Sequence, residues 1–257
     1  MSARILYANR DAFVLPAGIK EESKAAHRMS ALIRTHLQNH PAKAVIKLEG
    51  EASDCVYLMV SGWLCVSKFT MEGNRLIVDI LLSGNILDPA SADVDISAVE
   101  VETLSDVTYA AIPRGTWLRF VDDNPEIVGA LHQETGAAWA RMSERMLRLG
   151  KGGAETIIAY ALCELCLRST GQGLPEIKEF HIPMNQQQLG DLCGLSSVHI
   201  CRTLRRFERN GILDVSDHMD ITIRDIDRLA DLAEIDPDDL RKEIMPDDAP
   251  PPLRNCS

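Results

Sequence analysis

Apolar positions along the chain change period twice. Between residues 21 and 37, Met29, Leu32, Ile33 and Leu37 recur at helical spacing, and Pro41 follows as a stop. From Ala44 to Ile112 the apolar residues come instead in short runs, at 45–48, 56–60, 63–66, 76–81, 99–101 and 107–112. Glu49-Gly50, Ser61-Gly62, Glu72-Gly73-Asn74 and Ser83-Gly84-Asn85 separate them. Short strands with a glycine turn every ten residues or so predict a small antiparallel barrel or jelly roll. After Val121 the steps return to three and four: Val128, Leu131, Thr135, Ala138, Met142, Met146 and Leu149. Asp122 or Asn124 can cap this helix, with Pro125 in its first turn. Some 25 helical residues span roughly 37 Å. Heptad-like steps with small residues at Gly136, Ala137 and Ala138 predict a seam against a second copy, the plainer alternative being a helix packed on its own barrel.

Lys151-Gly152-Gly153 reads as a hinge. A helix from 154 to about 169 follows, with Ile157, Ile158, Ala161, Leu162 and Leu165, and Gly171-Gln172-Gly173 ends it. Phe180-His181-Ile182 reads as a short strand. Asn185 can cap a helix to about Cys193, with Leu189 and Leu192 facing inward, and Gly194 suits a left-handed C-terminal residue. Ser196 or Ser197 then caps a second helix, whose Ile200, Leu204 and Phe207 share one buried face before Gly211. Helix, glycine turn and helix with one apolar stripe form the helix-turn-helix pattern. Residues 212–215 and 219–223, separated by Ser216-Asp217-His218, predict a hairpin wing. Ile226, Leu229, Ala230 and Ala233 mark a closing helix, and 246–257, with four prolines, reads as disordered. The expected architecture is α+β: N-terminal helices and an antiparallel β-roll over 1–121, a long dimerisation helix over 122–150, a winged helix-turn-helix over 151–245, and a tail over 246–257.

Charge sharpens this picture. The 257 residues carry a formal net charge of -11. Between Ser196 and Asn210, however, four arginines (Arg202, Arg205, Arg206 and Arg209) face one acid, Glu208. A basic helix on an acidic chain points to a local nucleic-acid footprint. Ser197, Val198 and His199 occupy the first exposed turn, and Arg202 lies one turn on. The N-terminal half of such a helix enters the major groove, where a guanidinium can bond guanine O6 and N7. Arg205, Arg206 and Arg209 farther along suit phosphates. The amides of Gln186 and Gln187, in the run Gln186-Gln187-Gln188 that opens the first helix, and that helix's N-terminal N–H groups suit a phosphate as well, and Ser196 is counted with the DNA-binding residues. The acidic end, thirteen acids against four bases from Asp214 to Asp248, reads as a solvated surface that limits non-specific DNA binding.

With these elements in this order, the sequence resembles the CRP/FNR family of bacterial transcription regulators over roughly residues 44–236. VYLMVSGWLCVSKFTMEGNRLIVDILLSGNIL is similar to the family's barrel hairpins, and LGDLCGLSSVHICRTLRRFERNGIL to its DNA-binding helices. The resemblance implies a homodimer on a two-fold symmetric duplex operator. It also implies a guanine-reading role for Arg202, a sensor role for the β-roll, and RNA polymerase as a further partner. Two departures bear on the effector. Cyclic-nucleotide-binding members carry Gly-Glu and then Arg-Ser-Ala, where this chain has Gly84-Asn85 and Ile96-Ser97-Ala98. A buried phosphate without its arginine is costly, so no cyclic AMP or cyclic GMP binding is expected. No cysteine precedes Cys55, which argues against the family's N-terminal iron–sulfur cluster. Val198 stands where many members have Glu; it cannot accept from cytosine N4 but can touch a thymine methyl.

Other signals are weaker. Cys163 and Cys166 form a CxxC on a helix with no second pair, so core thiols are expected rather than a metal site. Cys201 sits in the reading helix near arginines and is a candidate redox site. His36 and His40 lack a third ligand. Seven cysteines without a scaffold spacing, no signal-like N-terminus and no apolar run of membrane-spanning length predict a cytoplasmic protein. No cofactor is expected and the effector stays open. A small-molecule-binding module without a DNA role is the alternative. A cupin-like enzyme would need a His/Glu cluster, and residues 44–112 contain no histidine.

Overall fold

The computed structural model describes residues 15, 16, 19, 23–91, 94–170, 178–216 and 219–245. Ser23 starts the first helix, α1 (Lys24–Thr35), its hydroxyl accepting from the Ala26 N–H at 3.0 Å, and Met29 and Ile33 bury its inner face. The apolar spacing predicted this helix as far as Leu37. Instead Leu37–His40 is strand β1, and Pro41 ends a strand rather than a helix. His40 precedes that proline, which disfavours the helical region there, and the free edge of a barrel strand supplies the ladder bonds.

The barrel strands are β2 (Val45–Lys47), β3 (Cys55–Ser61), β4 (Leu64–Phe69), β5 (Arg75–Leu81), β6 (Ile86–Leu87), β7 (Ala90–Ser91), β8 (Val94–Ser97), β9 (Glu100–Thr103) and β10 (Val107–Pro113). They form two antiparallel four-stranded sheets, β1-β10-β3-β6 and β2-β9-β4-β5, with a β7-β8 ribbon. Alternate residues point inward: Tyr57, Met59, Leu64, Val66, Leu81, Val101, Val107 and Tyr109 form one core, with Tyr57 edge-on to Tyr109 at 5.5 Å. The turn at Gly62 (φ +85°) requires glycine, because a Cβ there would lie 2.2 Å from the Asp106 carbonyl oxygen.

Helix α2 (Arg114–Asp123) follows the expected barrel runs, is not predicted by the apolar pattern, and straddles the expected boundary at 121/122; Trp117 is its only buried residue. A 3-10 turn over Pro125–Ile127 then leads into α3 (Val128–Lys151). The expected cap at Asp122 or Asn124 is therefore corrected. Asn124 makes no capping bond; it donates to the Phe120 carbonyl (2.7 Å) and accepts from Arg28 (2.9 Å). Beyond Gly152-Gly153 comes α4 (Ala154–Thr170), buried continuously from Ile157 to Leu167, with Cys163 and Cys166 in the core. The remaining elements are β11 (Glu179–His181), α5 (Gln186–Cys193), α6 (Ser197–Arg209), β12 (Leu213–Val215), β13 (Asp220–Ile223), α7 (Ile226–Ala233) and α8 (Pro237–Ile244), with sheet order β11-β13-β12.

Helix α8 corrects the reading of the acidic end as surface alone. Asp236 caps it, and its Leu240 and Ile244 are buried in the main core. That core joins Cys65, Ile77 and Ile80 of the barrel to residues of α4 through α8. The Gly171-Gln172-Gly173 stop, the wing-turn residues Asp217 and His218 and the tail from Pro246 lie outside the described residues.

Candidate nucleic-acid interface

Asn185 and Gln188 form a reciprocal capping box at the start of α5: Asn185 Oδ1 accepts from Gln188 N–H (2.8 Å) and Gln188 Oε1 from Asn185 N–H (3.0 Å). Gly194 ends α5 at φ +62°. The two helices then approach so closely that a Cβ on Gly190 would sit 2.5 Å from the Leu195 carbonyl oxygen. The Ser196 hydroxyl starts α6, accepting from the His199 N–H at 3.4 Å and bonding His199 Nδ1 at 3.0 Å. Ile200, Thr203, Leu204 and Phe207 are buried beneath α6. Both helices thus begin and end on side-chain chemistry legible in the sequence.

The outer face of α6 presents Val198, His199, Arg202, Arg205, Arg206 and Arg209 to solvent, with Ser197 and Cys201 half-buried at its flank. At 1.5 Å per residue, Arg202 and Arg209 lie about 10 Å apart along the axis, roughly the width of a major groove. The arginines are not equivalent. Arg206 pairs with Glu155 of α4, and Arg209 Nε donates to the Arg205 carbonyl at 3.3 Å. Arg202 has no ion pair recorded among the described residues. The glutamines are less available than their sequence suggests: Gln188 is used in the capping box and Gln187 donates to Asp191 at 2.9 Å, while Gln186 is exposed. Cys201 lines a cleft with Asn185, Gln186, Arg205, Glu208 and Ser216, between α5, α6 and the wing. Burial pushes the Cys193 thiol up to about 12, so it is an inert core group.

Helix α3 has two unlike faces. Val128, Leu131 and Ala138 are half-buried, Leu131 being packed against the barrel core with Trp117 and Ile127, and Thr135, Met142, Met146 and Leu149 are exposed. Trp139, 70% exposed, joins them and was not singled out by the heptad spacing, because it flanks the Ala138 position. The inner side carries Ala130, Glu134, Ala137, Arg141, Arg145 and Arg148, all buried. At the barrel site where a ribose-binding acid would stand, Asn85 is engaged by protein through both its amide atoms. Its Nδ2 donates to Glu134 Oε1 (2.7 Å), and its Oδ1 accepts from Leu82 N–H (2.8 Å) and Arg168 (3.2 Å). Ser97 donates to the Val99 carbonyl at 2.6 Å.

Two family models match the chain in this order: a cyclic nucleotide-binding domain over residues 37–124 and a Crp-like helix-turn-helix domain over 158–232. The transcriptional activatory protein AadR of Rhodopseudomonas palustris is 25% identical over 75% of this chain and 79% of its own length. The nitrogen fixation regulation protein FixK of Azorhizobium caulinodans is 24% identical over 69% and 71%. The structure of FixK2 from Bradyrhizobium japonicum superimposes with a TM-score of 0.67 and 22% identity, covering 76% of this chain and 96% of that one. A β-roll, a long helix and a winged helix-turn-helix with a basic outer face define a DNA-binding transcription regulator of two linked units. The chain belongs to the CRP/FNR family of such regulators. The members it matches are transcription regulators rather than enzymes. Among the described residues, no helix is long and apolar enough to cross a membrane.

Proposed function

We propose that the protein is a cytoplasmic homodimeric regulator that reads a two-fold symmetric operator. Arg202, Val198 and His199 meet base edges, while Ser196, Ser197, Gln186, Gln187, Arg205, Arg206 and Arg209 serve the backbone. The observation that carries this reading is the pairing of two exposed surfaces on one chain: the arginine stripe of α6 and the apolar stripe of α3. The first matches a groove and its phosphates. The second, with Trp139, Met142, Met146 and Leu149 in water, matches a copy of itself about a two-fold axis. Two α6 helices then reach half-sites about one DNA turn apart. RNA polymerase is the further partner that a regulator of this class meets at a promoter.

The β-roll is not a cyclic nucleotide receptor in this reading. Asn85 is held by Glu134 and Arg168, and Ile96 replaces the cation that a buried cyclic phosphate needs. Fluorescence anisotropy with palindromic and random duplexes across a salt series, alongside sedimentation equilibrium, tests the proposal. A dimer that prefers one palindrome over random DNA by a thousandfold or more supports it. A monomer, or equal affinity for every duplex, overturns it.

A further inference from the structure

Strand β5 is the last strand of its sheet, so one row of its backbone groups has no neighbouring strand. Such an edge normally faces water or is covered. Here it is covered by guanidinium groups. Arg145 of α3 donates from Nη1 to the Val78 carbonyl at 2.8 Å, and Arg168 of α4 donates from Nη2 to the Ile80 carbonyl. Residues 78 and 80 are two apart, so their carbonyls point to the same side. Between them Asp79, nearly buried, receives Arg145 at 3.1 Å, Arg168 at 3.4 Å and Arg141 at 3.5 Å. Behind them Glu164 of α4, 1% exposed, accepts from Arg145 Nε (2.7 Å) and from Arg168 (2.9 Å).

The same face of α3 reaches the far end of the chain. Arg141 Nη1 donates to the Ile244 carbonyl at the end of α8 (3.2 Å), and Arg148 Nη2 to the Glu234 carbonyl after α7 (3.1 Å), with Arg148 also 4.9 Å over the Tyr160 ring. Arg141, Arg145 and Arg148 are thus spaced four and three apart and tie the barrel, α4 and the C-terminal helices to one helix. The Gly152-Gly153 break lies between the tied parts. A planar guanidinium fixes direction as well as distance, unlike apolar packing. Leu149, though 37% exposed, also borders Gly194 in the turn between α5 and α6.

We infer that the open edge of β5, with Asp79, is a receptor rail for Arg145 and Arg168, and that these are positioning residues for operator recognition. They set where α6 sits relative to the dimer helix without touching DNA. The outer face of α6 is exposed in this clamped arrangement. The inference rests on the two-fold operator reading above.

The test uses the full chain bearing Arg145→Met with Glu164→Leu. The double change removes one cation and one anion together; Arg168 loses its bond to Glu164 but keeps Asp79, the Ile80 carbonyl and Asn85, and replacing a buried ion pair by apolar residues is often neutral for stability. Arg168→Lys is the second variant. It keeps the charge but cannot hold Glu164 and the Ile80 carbonyl together, and it answers the question if the double variant shows no melting transition. The expected result is a palindrome affinity at least tenfold weaker than the parent's, with random-duplex affinity and dimerisation unchanged and trypsin cutting faster after Lys151. Palindrome affinity within twofold of the parent in a folded variant overturns the inference. So does an equal fall for palindromic and random DNA, which signals lost charge rather than lost placement. If the parent itself fails to prefer a palindrome, it is the operator reading that has failed.

Discussion

Replacing Arg202 by alanine separates base reading from backbone attachment. Arg202 is exposed and has no ion pair recorded among the described residues, so its loss leaves no buried group stranded. The cost to folding is that of an ordinary surface change, within about 0.5 kcal/mol. In the proposed complex, the same side chain stands one turn into α6, where a guanidinium can make two bonds to a guanine edge. Losing it costs about 1–3 kcal/mol on the cognate site, a five- to 150-fold fall in affinity per half-site, with one operator position relaxed. Arg202→Lys discriminates further: it keeps the charge but loses the bidentate fork, so specificity falls while the salt dependence stays. Arg209→Ala is the counterpart. It lies about 10 Å along the axis, and its loss is expected to weaken all duplexes alike and flatten the salt slope by about 0.9 per phosphate contact. Anisotropy titrations at four salt concentrations, on the cognate palindrome and on single-base variants, read both quantities. If Arg202→Ala flattens the slope and weakens random DNA as much as the palindrome, Arg202 contacts phosphate and the assignment of α6 residues to bases is wrong.

Three other outcomes are expected. Met146→Glu, which places a charge in the exposed apolar stripe of α3, should convert dimer to monomer in sedimentation equilibrium at micromolar protein without lowering the helix signal; an unchanged dimer would remove α3 as the seam. Calorimetric titration with cyclic AMP should give no saturable heat at micromolar ligand, whereas an Asn85-dependent isotherm would refute the reading of that site. Two buried acids of this cluster, Asp79 of β5 and Glu134 of α3, should titrate stability in opposite directions. Burial alone would raise the Asp79 carboxyl, but Arg145, Arg168 and Arg141 outweigh it and hold the group below the unfolded value near 3.8, so its contribution is present above that pH and is lost as pH falls through the lower folded value. Burial holds Glu134 above 4.5, so its contribution is present below that pH and lost as pH rises through the raised value. Glu134→Gln should therefore raise the melting temperature at pH 7 and leave it unchanged below pH 4.5, and a loss at pH 7 would contradict this.

The parts of the fold that could be read ahead of the structure are those whose chemistry is local. Asn185, Gly194, Ser196 and the Ile200–Leu204–Phe207 stripe fix α5 and α6 by caps and period alone, and the structure places each where its side chain implies. Much of the β-roll follows for the same reason, with Gly50, Gly62, Gly73 and Gly84 in turns between its strands. The misses are elements whose reason is distant in sequence. Leu37 reads as the last turn of a helix until β10 is present to pair with β1. Helix α2 buries little but Trp117, so it has almost no apolar stripe to detect. Helix α8 hides in an acidic run because only Leu240 and Ile244 face the core, and their partner surface on α3 lies a hundred residues upstream. Arg141, Arg145 and Arg148 could have been seen as a period of four and three, but arginines at helical spacing are ordinarily a solvated face. Only the carbonyls and acids opposite them make burial affordable.

That reversal decides how α3 works. In an ordinary surface helix the apolar stripe turns toward its own chain and the charges toward water. Here the charges turn inward and the exposed side holds Trp139, Met142, Met146 and Leu149. Apolar contact is strong but weakly directional, so it suits a seam that a copy of the same helix can complete by rotation about a two-fold axis. Ion pairs bonded to particular carbonyls add little net stability once desolvation is counted, yet each is broken by a small displacement. They therefore suit the join that must be held at one angle. Exchanging the two faces would give a helix equally well buried, with a dimer seam restricted in register and a DNA-binding unit free to slide on the barrel. In the proposed dimer this arrangement puts the tolerant contact between chains and the exacting one within each chain, and the inferred clamp then sets where each arginine stripe meets its half-site.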